Sequence, residues 1–223
     1  MAGLWLGIET TSPTGGIALT RNGEVLAEEF FPVMATHSEN LLPGIARMLE
    51  RGRTSGEDIA GIAVSAGPGS YTGVRIGIST AQGLAKGWNT GVVAVGTLRV
   101  LAVSVGSPQP VLACIRAREG EVFAAVYSSG SPEAAVIVEP AVYTAEALFR
   151  RVSEFGGVTA VGSGQRVISL PQGVSGTDES MDLPRPSIAA ILGSLRFEKG
   201  GFDPFPVPLY LRDFNQKAST FVP

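Results

Sequence analysis

Residues 61–96, GIAVSAGPGSYTGVRIGISTAQGLAKGWNTGVVAVG, decide how the chain is to be read. A short apolar run, GIAVSAG (61–67), is followed at once by a glycine-rich turn. A helical pattern from about Thr72 to Gly87 comes next, and then a second buried strand, GVVAVG (91–96). Strand, helix and strand in that order read as part of an α/β fold.

The turn GPGSYTGVRIG (67–77) stands where the strand passes into the helix, so its backbone N–H groups and the helix N-terminus form a generic anion site. It is not a Walker A loop, because no Gly-Lys-Ser/Thr follows and Arg75 does not stand in the required place. The spacing of Gly67, Gly69 and Gly73 resembles a dinucleotide loop with one extra residue. The following strand, however, ends in Gly96-Thr97, with no acid for a ribose. The plain alternative is that these glycines only permit a tight turn and close packing.

Upstream, LWLGIE (4–9), GGIALT (15–20) and EVLAEEFF (24–31) read as three successive strands, with Asn22-Gly23 supplying the hairpin turn. Thr36 and Glu39 have capping-box spacing. Leu41, Leu42, Ile45, Met48 and Leu49 then recur at helical intervals up to Gly52, with Pro43 expected to bend the helix or mark a late start. Downstream the order repeats: VLACIRA and EVFAAVY about a turn at Glu119-Gly120, then AAVIVE, a helix from Thr144 to Phe155, strand VTAVG, and a helix after Ser187. Two tandem βββαβα units follow, with lobes at 1–104 and 105–223, the second smaller and degenerate. Residues 163–186 give no periodic signal and read as a long loop that could hide a strand.

The chain has 223 residues, 44% of them hydrophobic and 17% charged, with 29 Gly and 15 Pro. This composition excludes a disordered tail, a coiled coil and a disulfide scaffold. A core burying roughly 70 to 75% of the unfolded surface is expected for this length. One cysteine, Cys114, permits neither an internal disulfide nor a zinc cluster, and MAGLWLGIE lacks the basic start of a signal peptide. The longest apolar run, GVVAVGTLRVLAVSVG, is broken by Arg99 and by glycines, so a soluble, cytoplasmic protein is expected. With a net charge of −3 and 17 scattered basic residues, the chain has no electrostatic footprint for tight nucleic-acid binding by itself.

Catalytic constellations are scarce. One histidine, His37, leaves no HxxxH metal pair and reads as a first-turn helix residue. Cys114, in an apolar strand, reads as a small buried hydrophobe. Glu9 with Thr10, Thr11 and Ser12 forms a hydroxyl-rich turn able to hold a phosphate and magnesium, or only a turn. Together with Gly67 and Gly69, Glu9, Thr10 and Thr11 are the candidate ligand-binding residues. On the helix after the glycine-rich turn, Gly73, Gly77, Thr80, Ala81, Leu84 and Trp88 trace a face of mostly small side chains. Val74, Ile78, Ala81 and Ala85 already supply a stripe for the sheet. A helix apolar on two sides needs two partners. The expected partner interface is therefore Leu41, Ile45 and Met48 with Gly73, Gly77, Thr80, Leu84 and Trp88.

The segments IETTSPTGGIAL, THSENLLPGIARML, AGPGSYTGVRIGISTAQGLA, IRAREGEVFAAVY and PLYLR, in that order, resemble the bacterial TsaB (YeaZ-type) family of tRNA threonylcarbamoyladenosine biosynthesis. The resemblance spans nearly the whole chain; 163–186 matches poorly. It implies the two-lobed actin/sugar-kinase/Hsp70-like (ASKHA) fold. It also implies a noncatalytic scaffold that pairs with a related catalytic subunit, TsaD, and with an ATPase, TsaE, and meets tRNA only through that complex; for the chain alone, a homodimer and a monomer both stay open. ATP and magnesium are then used by the complex, with no cofactor in this chain. Where the family's nucleotide-binding relatives carry two aspartates, this chain has Glu9 and Arg116, and a cation at 116 repels magnesium. Two rival readings stand beside this one: a small-molecule kinase of the acetate or sugar type, and a metalloprotease-like relative, which one histidine disfavours.

Overall fold

The computed structural model describes residues 3–32 and 37–211. Its first sheet contains β1 (Leu4–Glu9), β2 (Thr14–Arg21), β3 (Glu24–Pro32), β4 (Ile59–Ser65) and β5 (Val92–Val95), in the order β3-β2-β1-β4-β5. β1 to β3 form an antiparallel meander, and β4 and β5 run parallel to β1. Every residue of LWLGIE in β1 is buried, as a central strand covered on both faces requires. Asn22 and Gly23 both take positive φ in the β2–β3 turn, the geometry a two-residue hairpin with right-handed twist needs. Helices α1 (His37–Arg51) and α2 (Tyr71–Trp88) cover one face of this sheet.

The second sheet repeats the pattern. β6 (Val111–Arg116), β7 (Glu121–Tyr127), β8 (Val136–Thr144), β9 (Val158–Val161) and β10 (Val174–Gly176) lie in the order β8-β7-β6-β9-β10, which is the first sheet's order over again. The tandem duplication read from the pattern is thus present in the topology. α4 (Ala145–Val152) covers one face and is capped by Thr144, whose Oγ1 accepts from Ala147 N at 3.3 Å. It ends three residues short of the expected Phe155, and the loop 163–186 does contain a strand, β10.

Two helices change the expected division at 104/105. α3 (Thr97–Val105), unforeseen in the sequence, packs Leu98, Leu101 and Ala102 against Val111, Ala113 and Val161 of the second sheet. α5 (Pro186–Gly200) crosses in the other direction, placing Ala189 and Ala190 against Trp5, Ala63 and Val93 of the first. Each half therefore donates its last helix to the other's core, and the C-terminal helix does not belong to the second sheet's layer. The contact is close. A Cβ on Gly7 of β1 would overlap the Pro186 carbonyl, so α5 lies directly on the backbone of the central strand. Salt bridges from Arg185 to Glu28 and from Lys199 to Glu133 (2.6 Å) pin α5 at its two ends.

After α5 the chain runs along the outer side of β5: Asp203 N donates to Val92 O (2.9 Å), Asp203 Oδ2 accepts from Ala94 N (2.6 Å), and Leu209 N donates to Ala66 O (2.7 Å). Pro204, Pro206 and Pro208 alternate with these positions, so the far side of the strap lacks N–H donors and cannot recruit another strand. α1 continues through Pro43, whose ring faces solvent. The expected Thr36/Glu39 cap and Arg212 of the PLYLR segment lie outside the described residues and side chains. Among the described residues no helix is long and apolar enough to cross a membrane.

Candidate functional site

The hydroxyl-rich turn after β1 and the glycine-rich turn before α2 meet where the two sheets come together. Ser70 N donates to Thr11 O at 2.7 Å, tying the two turns, and Ser70 Oγ caps α2 by accepting from Gly73 N at 3.2 Å. Thr10 Oγ1 donates to Gly73 O at 2.7 Å. Gly67, at φ +110°, lies against the Leu209 carbonyl, and its own carbonyl accepts from Thr97 N at the start of α3. Positive φ and close backbone approach explain the glycine at 67. The strap also reaches this place: Tyr210 stacks on Tyr71 (5.3 Å between centroids) and accepts from Arg75 Nε (3.0 Å), while the Arg75 guanidinium lies over Tyr71 at 3.9 Å. The two motifs GSYTGVR and PLY, far apart in sequence, are one structural unit.

Glu9 lies beneath this surface with 0% exposure. Its Oε1 accepts from Thr11 N (2.6 Å) and Thr11 Oγ1 (2.5 Å), and Thr97 Oγ1 donates to Thr11 Oγ1 at 3.3 Å. Burial pushes the Glu9 carboxyl up to about 7, and the hydroxyls of Ser65 and Thr11 with the Thr11 N–H oppose that rise without cancelling it. Among the described residues, Glu9 Oε2 and Ser65 Oγ both lack a hydrogen-bond partner. The Ser65 hydroxyl thus lies near enough to act on the Glu9 carboxyl without forming a hydrogen bond of good geometry.

Above lies a cleft of about 830 Å³ between the sheets. Thr11, Ser12, Gly69 and Ser70 form one side; Ile115 and Phe123, directly paired across β6 and β7, form part of the other. Arg116, Arg118 and Arg166 add positive charge. Arg166 is held by Asp182 (Nε to Oδ2, 2.8 Å) and by Thr177 O (2.7 Å). Of the five candidate binding residues, Thr11 and Gly69 line the cleft, whereas Glu9, Thr10 and Gly67 are enclosed below it. Phe123, Arg118 and Arg166 carried no sequence signal, because only tertiary folding of the hairpin and of the irregular loop brings them together.

Magnesium does not fit these residues. Among the described residues no group of three His, Cys, Asp or Glu converges to hold a metal, and the one carboxylate at the base turns inward onto Thr11. Arg116 lines the cleft, as its departure from the family pattern suggests. Cys114 is fully enclosed, and burial pushes its thiol up to about 12, as an inert core residue requires. The side chain of His37 lies outside those described.

The expected partner interface needs correction. Leu41, Ile45 and Met48 are buried against the chain's own first sheet. Gly73 and Gly77 are small because the Thr10 backbone and hydroxyl press on them, and Leu84 and Trp88 pack at the edge of the same core. Of that set only Thr80 is both half-exposed and outside the core. The surface left outward is Leu42 (51% exposed), Pro43 and Ala46 on α1, and Ser79, Gln82 and Gly83 on α2, where a Cβ on Gly83 would meet open space.

The family model described as TsaD, tRNA N6-adenosine threonylcarbamoyltransferase, matches residues 30–182, more than half of the chain. The tRNA threonylcarbamoyladenosine biosynthesis protein TsaB of Escherichia coli is 40% identical over 126 residues, which is 55% of this chain and 54% of that protein. Its Bacillus subtilis counterpart is 36% identical over 123 residues, with the same coverage. The chain thus spans about half the length of the curated relatives it matches. A Pseudomonas aeruginosa crystal structure described as similar to peptidase YeaZ superposes with a TM-score of 0.80 at 26% identity, covering 94% of this chain and all of that one. The duplicated sheets, the exchanged helices and these matches agree, and the chain belongs to the TsaD family of two-lobed ASKHA proteins, as a member of the TsaB (YeaZ) type.

Proposed function

We propose that the chain acts in tRNA threonylcarbamoyladenosine biosynthesis as a noncatalytic subunit, organising a TsaD-like catalytic subunit and a TsaE-like ATPase. The observation that carries this reading is the site itself. A chain whose relatives are named for this pathway encloses its one carboxylate at the base of the cleft and assembles no metal-ligand cluster among its described residues. A kinase needs magnesium and a phosphate at that same place, so the enclosed Glu9 and the guanidinium of Arg116 argue against it. Activity then passes through binding: a subunit that prefers its partner's active conformation shifts that equilibrium by the difference in affinity. The outward surface of α1 and α2, with apolar Leu42 and Ala46 and the open Gly83, is the docking face in this proposal, and tRNA meets the chain through the assembled complex.

Reconstitution tests it. Ala46→Glu and Gly83→Arg point into solvent, so each variant is expected to fold like the parent, to lose co-elution with the TsaD-like subunit, and to lower single-turnover tRNA modification at least tenfold. A reconstituted system that modifies tRNA at the full rate without this chain, or in which both variants assemble normally, would sink the proposal.

A further inference from the structure

The cleft has features that the scaffold role does not use. Its volume of about 830 Å³ lies within the range that encloses a small organic ligand. The Ile115–Phe123 cross-strand pair gives it a flat apolar wall. At the end of that wall stand Arg116, which closes β6, and Arg118, in the turn that follows. Among the described residues neither guanidinium has a hydrogen-bond or ion-pair partner, whereas Arg166 in the same cleft is neutralised by Asp182. Of the two acids among the described residues lining the cleft, Asp182 is thus committed and Glu179 is left to offset two cations. The carboxyl at the base does not face the cleft, because Glu9 is fully enclosed with its Oε1 accepting from Thr11. Paired or neighbouring guanidiniums beside an apolar wall recognise a carboxylate, sulfonate or phosphate carried on a flat body.

We infer that this cleft binds an aromatic organic anion without a metal ion. The ring lies on Ile115 and Phe123, and the anionic group is taken by Arg116 and Arg118. The inference is independent of the docking role, since it concerns the chain alone and makes no use of α1 or the outward face of α2.

The probe is 8-anilinonaphthalene-1-sulfonate, titrated by fluorescence into the folded chain in the presence of EDTA. Saturable one-to-one binding is expected. Replacing both arginines, Arg116→Gln with Arg118→Gln, is expected to weaken it at least tenfold, the double Lys variant to retain most of it, and Phe123→Ala to weaken it severalfold. N-phenyl-1-naphthylamine, which keeps the rings and lacks the sulfonate, is expected to bind at least tenfold more weakly. Competition by 1-naphthyl phosphate against 1-naphthoate tells which anionic group the arginines prefer, and displacement by either supports the site. Thermal melts of each variant establish that it is folded. The inference is overturned if the double Gln variant binds as tightly as the parent, if the neutral analogue does so, or if binding requires magnesium.

Discussion

Gly73→Ala is expected to lower the melting temperature of the isolated chain by roughly 6 to 12 °C, while Gly83→Ala, ten residues along the same helix, raises it by about 1 to 4 °C. The two substitutions are chemically identical and differ only in what the new methyl meets. At Gly73 it overlaps the Thr10 carbonyl oxygen, a backbone atom fixed by β1 on one side and by the Ser70–Thr11 hydrogen bond on the other. Neither partner yields without moving α2, and overpacking of this kind costs about 3 kcal/mol, the upper part of the usual range. Displacing α2 also breaks the bond from Thr10 Oγ1 to Gly73 O. At Gly83 the methyl meets nothing within 4 Å, so the gain in helix propensity is realised, roughly 0.5 to 1 kcal/mol. Differential scanning calorimetry on both variants checks this, and a Gly73→Ala protein melting within 2 °C of the parent, or a destabilised Gly83→Ala, would show that α2 sits differently.

The same pair shows what the sequence could and could not convey. The strand, turn and helix around GPGSYTGVRIG were legible because glycines and an apolar stripe each specify local geometry, although the Ser70 cap was not singled out. The three-stranded opening and the duplication were legible for the same reason. The interface was not. Periodicity reports that a helix face is apolar or small and is silent on which body covers it. Leu41, Ile45 and Met48 are covered by the chain's own sheet, and Gly73 and Gly77 by the loop after β1.

Helix α3 was hidden for another reason. TLRVLAVSV is rich in β-branched residues and continues the apolar run of β5, so no period separates strand from helix. Its conformation is decided by packing on the second sheet, a tertiary cause. β10 is three residues long, mostly exposed and paired on one side only, which leaves no alternation to detect. In the cleft, Arg116 could be singled out in the sequence because a family pattern exists for that position; Phe123 and Arg166 could not, since their meeting depends on how the hairpin and the loop fold.

Glu9→Gln is expected to leave stability near pH 5 within about 1 kcal/mol of the parent and to make the protein about 3 kcal/mol more stable at pH 8. The sign follows from the raised carboxyl. An ordinary glutamate near 4.5 in the unfolded chain is pushed to about 7 in the folded one by burial, so between those values the native state holds a proton that the unfolded state has lost. The stabilising contribution is complete below about pH 4.5 and is lost as pH rises through 7, at about 1.4 kcal/mol per pH unit. Glutamine stands in for the protonated form: it is neutral at every pH, and its carbonyl accepts from Thr11 as Oε1 does. Other titrating groups cancel in the difference between the two proteins, which is why urea midpoints of both, measured side by side from pH 5 to 8, isolate this one. Parallel profiles across that window would mean that Glu9 is ionised in the folded chain and that burial does not hold its proton. A profile that diverges through pH 7 fixes Glu9 as a neutral member of the core, holding the turn from Glu9 to Thr11 against α2 and α3 and leaving the arginines to set the charge of the cleft.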